Sequence, residues 1–124
     1  MYKKQKLRKN FSNKNKFKAI LCEKGYYSQP TIHSNKLVFV CENDLWETTI
    51  DGGEARRLTT SISEIQSPFF SPDGQFICCS SKEEGEHDVY IMDSKGGPLH
   101  RLTWLNSVSS IIGWSNKGDK IIFR

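Results

Sequence analysis

Along this chain the apolar residues gather in short dense runs instead of spreading into helical stripes. Leu37-Val38-Phe39-Val40 and Phe76-Ile77-Cys78-Cys79 are apolar at consecutive positions. The runs are rich in Val, Ile, Phe, Tyr, Trp and Thr. They are bounded by Asp51-Gly52-Gly53, Pro72-Asp73-Gly74 and Lys95-Gly96-Gly97. This is strand-and-turn chemistry, and no segment has the length and period of a helix. In turns of this kind Pro72 presets φ, while Gly74 and the double glycines accept positive φ. The pattern predicts strands over 67–70, 75–81, 88–93 and 99–103. Because consecutive positions are apolar, both faces of each sheet must be covered.

The strands repeat. A shift of 44 residues lays Asp44-Leu45-Trp46 on Asp88-Val89-Tyr90, Gly52-Gly53 on Gly96-Gly97, and Arg57-Leu58-Thr59 on Arg101-Leu102-Thr103. The same shift carries Phe70-Ser71-Pro72-Asp73-Gly74 onto Trp114-Ser115-Asn116-Lys117-Gly118, and Ile77 onto Ile121. Further upstream, Lys36-Leu37-Val38-Phe39-Val40 matches Gln75-Phe76-Ile77-Cys78-Cys79 if residues 82–87 form a longer, acidic loop in the second unit. A period of 40 to 45 residues with four strands per unit describes the blades of a β-propeller.

The expected fold is therefore all-β: an incomplete β-propeller of two four-stranded antiparallel blades plus half of a third, preceded by a disordered basic leader. The leader occupies 1–25 and the partial propeller 26–124, with a blade over 29–66, a blade over 67–110 and a half blade over 111–124. A closed propeller needs at least four blades, so the sequence reads as a fragment of a longer protein. The half blade is expected to leave unpaired backbone and an apolar face open to association.

Charge sharpens that division. The net charge of +4 joins a leader with nine Lys or Arg against one acid to a body with nine against thirteen. Residues 1–18 carry almost no apolar side chains and cannot offset the cost of ordering. Lysines can sit on phosphates, but only Phe11 and Phe17 are interleaved with them and no nucleic-acid module follows, so nucleic-acid binding is not expected. The four-residue run Ala19-Ile20-Leu21-Cys22 is too short for an export signal. No apolar stretch approaches the roughly 18 residues of a membrane span, so no membrane association is expected.

Cys22, Cys41, Cys78 and Cys79 lack metal-knuckle spacing, and His33, His87 and His100 offer no paired spacing. No metal and no cofactor are expected. Cys41, Cys78 and Cys79 end or interrupt strand-like runs and read as reduced structural thiols, consistent with a cytoplasmic location. No catalytic residue is assigned. There is no Gly-x-Ser-x-Gly elbow, and Ser71 and Ser115 share one repeat position, as a unique nucleophile would not. Asp44 and Asp88 also share a position, which favours bonding to nearby backbone. Trp46 and Tyr90 read as packing between blades. Trp104 aligns with Thr60 and is the better candidate for a specific contact, while Glu83-Glu84-Gly85-Glu86 reads as a solvated loop.

The run Gly25-Tyr26-Tyr27, Pro30-Thr31-Ile32-His33, Val38-Phe39-Val40, Asp44-Leu45-Trp46-Glu47, Asp51-Gly52-Gly53, Ala55-Arg56-Arg57-Leu58-Thr59 and Phe70-Ser71-Pro72-Asp73-Gly74 resembles the beginning of tricorn-type proteases. The resemblance implies the first two and a half blades of a six-bladed propeller. A second propeller, a PDZ domain and a C-terminal serine-protease domain would follow it. The family's catalytic residues have no matching positions here. By resemblance, the partners are peptide substrates and the remaining domains of the parent protein, with a homo-oligomer when full length. The propeller would serve as substrate passage or filter and as assembly surface. The alternative is a non-catalytic TolB-like propeller that acts as a protein-interaction scaffold.

Overall fold

The computed structural model describes residues 27–105, 107 and 110–124. The leader expected over 1–25 lies outside the described residues. The elements, in chain order, are β1 (Ser28–His33), β2 (Lys36–Cys41), β3 (Asp44–Thr49), β4 (Arg56–Arg57), β5 (Ile65–Phe70), β6 (Phe76–Ser81), β7 (Asp88–Asp93), β8 (His100–Arg101), β9 (Ile111–Trp114) and β10 (Ile121–Phe123). They form two four-stranded sheets, β1-β2-β3-β4 and β5-β6-β7-β8, and the two-stranded sheet β9-β10. Every pairing is antiparallel. No helix occurs among the described residues. The structure is thus the all-β incomplete propeller that the repeat implies.

Turn chemistry explains where the chain reverses. Ser71 Oγ donates to Asp73 Oδ1 at 2.6 Å and accepts from the Phe76 amide at 3.0 Å, while the same Asp73 oxygen accepts from the Gln75 amide. Gly74 closes the turn at φ +73, and a Cβ there would fall 2.2 Å from His33 Nδ1. Both conditions require glycine. In the third sheet the partner has moved: Ser115 Oγ donates to Asp119, at 2.6 Å.

The expected alignment of β2 with β6 is off by one residue. Phe39 pairs with Trp46, and Cys79 with Tyr90. Lys36 therefore corresponds to Phe76, not to Gln75. The cause is the β6–β7 loop, which exceeds its two-residue counterpart by four positions. Side chains alternate between faces, so a slip of one would have turned the wrong set inward. Strand ends differ too. β5 starts at Ile65, before the expected residue 67, because the register shifts between Gln66 and Phe69 and pairing resumes at Gln66 with Ser80. Ser67 sits at φ 52 within this bulge, as Gln29 does in β1. β8 spans two residues where five were expected.

The sheets stack through their faces, and their first strands lie side by side, β1 on β5 and β5 on β9. One core cluster joins Val38, Val40, Leu45 and Leu58 of the first sheet to Ile65, Phe70, Ile77, Cys79, Tyr90 and Met92 of the second. A second joins Cys78 and Val89 to Ile111, with Trp114, Ile121 and Phe123 packed against it. Each fully buried Val, Leu or Ile contributes about 1.5–3 kcal/mol. The middle sheet is accordingly covered on both sides, which is why β6 can be apolar at consecutive positions. Hydrogen bonds cross between sheets at the first strands: the Phe70 amide donates to Thr31 Oγ1 at 3.3 Å, and Trp114 Nε1 donates to the Phe69 carbonyl at 3.1 Å.

Candidate functional site

The most heavily bonded polar groups are Asp44 and Asp88, both almost fully buried. Asp44 Oδ1 accepts from Thr59 Oγ1 at 2.6 Å and from the Ser61 amide at 2.9 Å. Its Oδ2 accepts from Arg57 Nε at 2.9 Å and also from Arg57 Nη2. Asp88 repeats the pattern one unit later. Oδ1 takes Thr103 Oγ1 at 2.6 Å and the Leu105 amide at 2.9 Å, and Oδ2 takes Arg101 Nη2 at 2.6 Å. Thr59 and Thr103 in turn accept from the amides of Leu45 and Val89. Each carboxylate therefore ties the start of a third strand to the outer strand and to the chain leaving the sheet.

The backbone partners are those the repeat suggested. The arginines were missed, although the signal was available as the recurring 13-residue interval from Asp to Arg.

The chemistry of these carboxylates is structural. Burial alone would raise the Asp88 pKa, but hydrogen bonds from Thr103, the Leu105 amide and Arg101, together with the Arg101 charge, outweigh it and hold the carboxyl at about 2. A folded-state pKa below the ordinary value of 3.8 gives stability that is present above that value and lost as pH falls toward 2. Asp73 is lowered in the same direction, chiefly by the Ser71 hydroxyl. The expected result is a urea midpoint that is level near neutrality and drops steeply between about pH 4 and 2, measured by circular dichroism. In Asp88→Asn the drop should be shallower; an unchanged profile would count against this assignment.

Nucleophiles are disarmed by their surroundings. Burial pushes the Cys78 thiol up to about 12 and Cys79 further still, while Cys41 is raised by partial burial and by Glu42. All three are free thiols, and they stay protonated at neutral pH. His33, Ser71 and Asp73 meet at the β5–β6 turn, yet His33 Nε2 faces the Pro72 carbonyl at 3.2 Å and the Ser71 hydroxyl is committed to Asp73. A serine nucleophile needs an effective base on its hydroxyl, and here the acceptor is the Asp73 carboxylate, whose pKa the same bond lowers. Among the described residues no three His, Cys, Asp or Glu side chains converge on a point.

The other residues singled out by sequence lie apart. Tyr90 is buried against the first sheet, whereas Trp46 lies on that sheet's opposite, open face. Trp104 is 68% exposed and lies 5.6 Å from the Arg101 guanidinium, which also pairs with Glu84 at 3.0 Å. An open groove of about 310 Å³ runs between the two full sheets, lined by Arg57, Thr59, Ser61, Glu83 and Leu99.

Residues 24–124 match the tricorn protease N-terminal beta propeller domain. The chain belongs to this family. It is similar to tricorn protease homolog 1 of Streptomyces coelicolor, with 32% identity over 95 residues, covering 76% of this chain and 9% of that protein. Among solved structures, the crystal structure of the tricorn protease superposes with a TM-score of 0.68 at 25% identity, over 80% of this chain and 11% of that one. The structure of a putative TolB from Agrobacterium tumefaciens superposes with a TM-score of 0.65 at 23% identity, over 82% of this chain and 38% of that one. The latter likeness is one of fold. This tricorn-family chain thus spans about a tenth of the length of that homolog and of the crystallised tricorn protease. No helix among its described residues is long and apolar enough to cross a membrane.

Proposed function

We propose that this chain forms the opening blades of a tricorn-like serine protease that degrades peptides in the cytoplasm. In this reading the propeller is a passage or filter for peptide substrates and a surface for assembly. The remaining domains of the parent protein, acting as a homo-oligomer, supply the catalytic groups. The observation that carries the reading is the family match over 24–124, on a fan of sheets whose first strands lie side by side. The disarmed thiols and the hydroxyl committed to Asp73 are consistent with a part that shapes access and leaves bond cleavage to other domains.

The test is enzymatic. The 124-residue chain should show no turnover of short fluorogenic peptides, while the product of the complete reading frame should cleave them and lose activity to a serine-directed inhibitor. Cleavage by the short chain, or a complete product without peptidase activity, would overturn the proposal. The second outcome would favour the scaffold reading that the TolB-like fold permits.

A further inference from the structure

The first strands meet at the hub of the fan, where β5 lies against β1 on one side and β9 on the other. Each is the edge strand of its own sheet. An edge strand presents a row of amides and carbonyls to which an extended peptide can add as a further strand. Charge, a common guard of such edges, is not used here, since β1, β5 and β9 contain no Lys, Arg, Asp or Glu.

The donors of β5 are removed in another way. Its register shifts between Gln66 and Phe69, and within that bulge Ser67 stands at φ 52, directly before Pro68. The Ser67 amide donates to Gln29 Oε1 of the first sheet. Pro68 has no amide hydrogen. The Phe70 amide donates to Thr31 Oγ1 of the first sheet at 3.3 Å, so it belongs to the row that points away from β6. Successive amides of a strand point to opposite sides, which turns that of Phe69 toward its partner Cys78 within the sheet. The Phe69 carbonyl also accepts from Trp114 Nε1 of the third sheet at 3.1 Å. From Ser67 to Phe70 no donor is left for the carbonyls of an incoming peptide. The bonds that close this edge come from both neighbouring sheets. β1 begins in the same manner, with Gln29 at φ 52 directly before Pro30 at a register shift.

We propose that the hub edge of β5 is closed to strand addition, so that an extended peptide at the hub is contacted through side chains and slides without forming a backbone ladder. This inference rests on the reading of the propeller as a passage for peptides, whose first strands border the central channel. A ladder holds peptides of any sequence by their main chain and would retain what has to move on.

The experiment is nuclear magnetic resonance on the 124-residue chain, read residue by residue. Amide exchange at Ser67 and Phe70 should be at least about tenfold slower than in an unstructured peptide of the same sequence. Thr31→Val should release Phe70 alone, and Gln29→Ala should release Ser67 alone. The probes are an alternating Thr-Val octapeptide and its copy N-methylated throughout, whose backbone cannot join a sheet. With the wild-type chain the two should act alike on the Ser67, Phe69 and Phe70 amide signals up to several hundred micromolar. In Gln29→Ala/Thr31→Val/Pro68→Val, which restores the row of donors, the unmethylated peptide alone should shift these signals and slow their exchange. If the triple variant fails a circular dichroism control, Gln29→Ala/Thr31→Val takes its place. Ser67 and Phe70 amides that exchange at free-peptide rates, wild-type signals that answer to the unmethylated peptide alone, or an uncapped variant that tells the peptides apart no better than wild type would each overturn the proposal. A complete product without peptidase activity would leave these readouts unchanged and would count only against the passage reading.

Discussion

Replacing Asp44 by Ala is expected to cost about 3 kcal/mol of folding stability, read as a lowered urea midpoint with an unchanged slope. The carboxylate is buried and accepts from Thr59 Oγ1, the Ser61 amide and Arg57. Removing it leaves the hydroxyl and the amide without their acceptor, and each unsatisfied buried group costs about 1–3 kcal/mol. Arg57 contributes less, because its side chain is about half exposed and regains water. Asp44→Asn keeps an acceptor for Thr59 and Ser61 and should recover a good part of the loss. Amide exchange at Leu45 and Leu58, whose backbones bond at 2.7 Å, should quicken in Asp44→Ala ahead of exchange in β6. A loss below about 1 kcal/mol would show the cluster to be ornamental.

Tyr90 should separate bulk from polarity. Its ring is among the largest fully buried side chains and faces the first sheet, while its hydroxyl makes no well-formed hydrogen bond and has only the Glu84 backbone near it. Tyr90→Ala should cost about 3–5 kcal/mol through lost burial and the cavity left behind. Tyr90→Phe should be neutral or slightly stabilising, because it deletes an oxygen that has been desolvated without compensation. A large penalty for the phenylalanine variant would mean that the contact with the Glu84 backbone is a true hydrogen bond.

The repeat made most of this architecture readable. Residues that perform one local task, such as Asp44 and Asp88 or Ser71 and Ser115, recur because each sheet must solve the same problem of backbone satisfaction. What a repeat cannot display is the fine register between strands joined by loops of unequal length. The offset of β2 against β6 came out one residue short, since nothing in Lys82 to His87 says where the loop stops and pairing begins. The bulges at Gln29 and Ser67 were equally hidden, because positive φ at a non-glycine residue leaves little mark on composition. Contacts between sheets were the least legible. The approach of Gly74 to His33 and the bond from Trp114 to Phe69 join residues about 40 positions apart, and they depend on how the sheets fan. The expectation of no catalytic group rests on spacing and repeat position alone, whereas the commitment of Ser71 to Asp73 is visible only in the coordinates.

The outermost strands of the two full sheets, β4 and β8, are each only two residues long, and they read Arg-Arg and His-Arg. So brief a ribbon offers a visiting strand almost no ladder to zip onto, and its cationic side chains repel a copy of itself. The outer edges of the two full sheets are therefore protected against the lateral pairing that seeds fibrils.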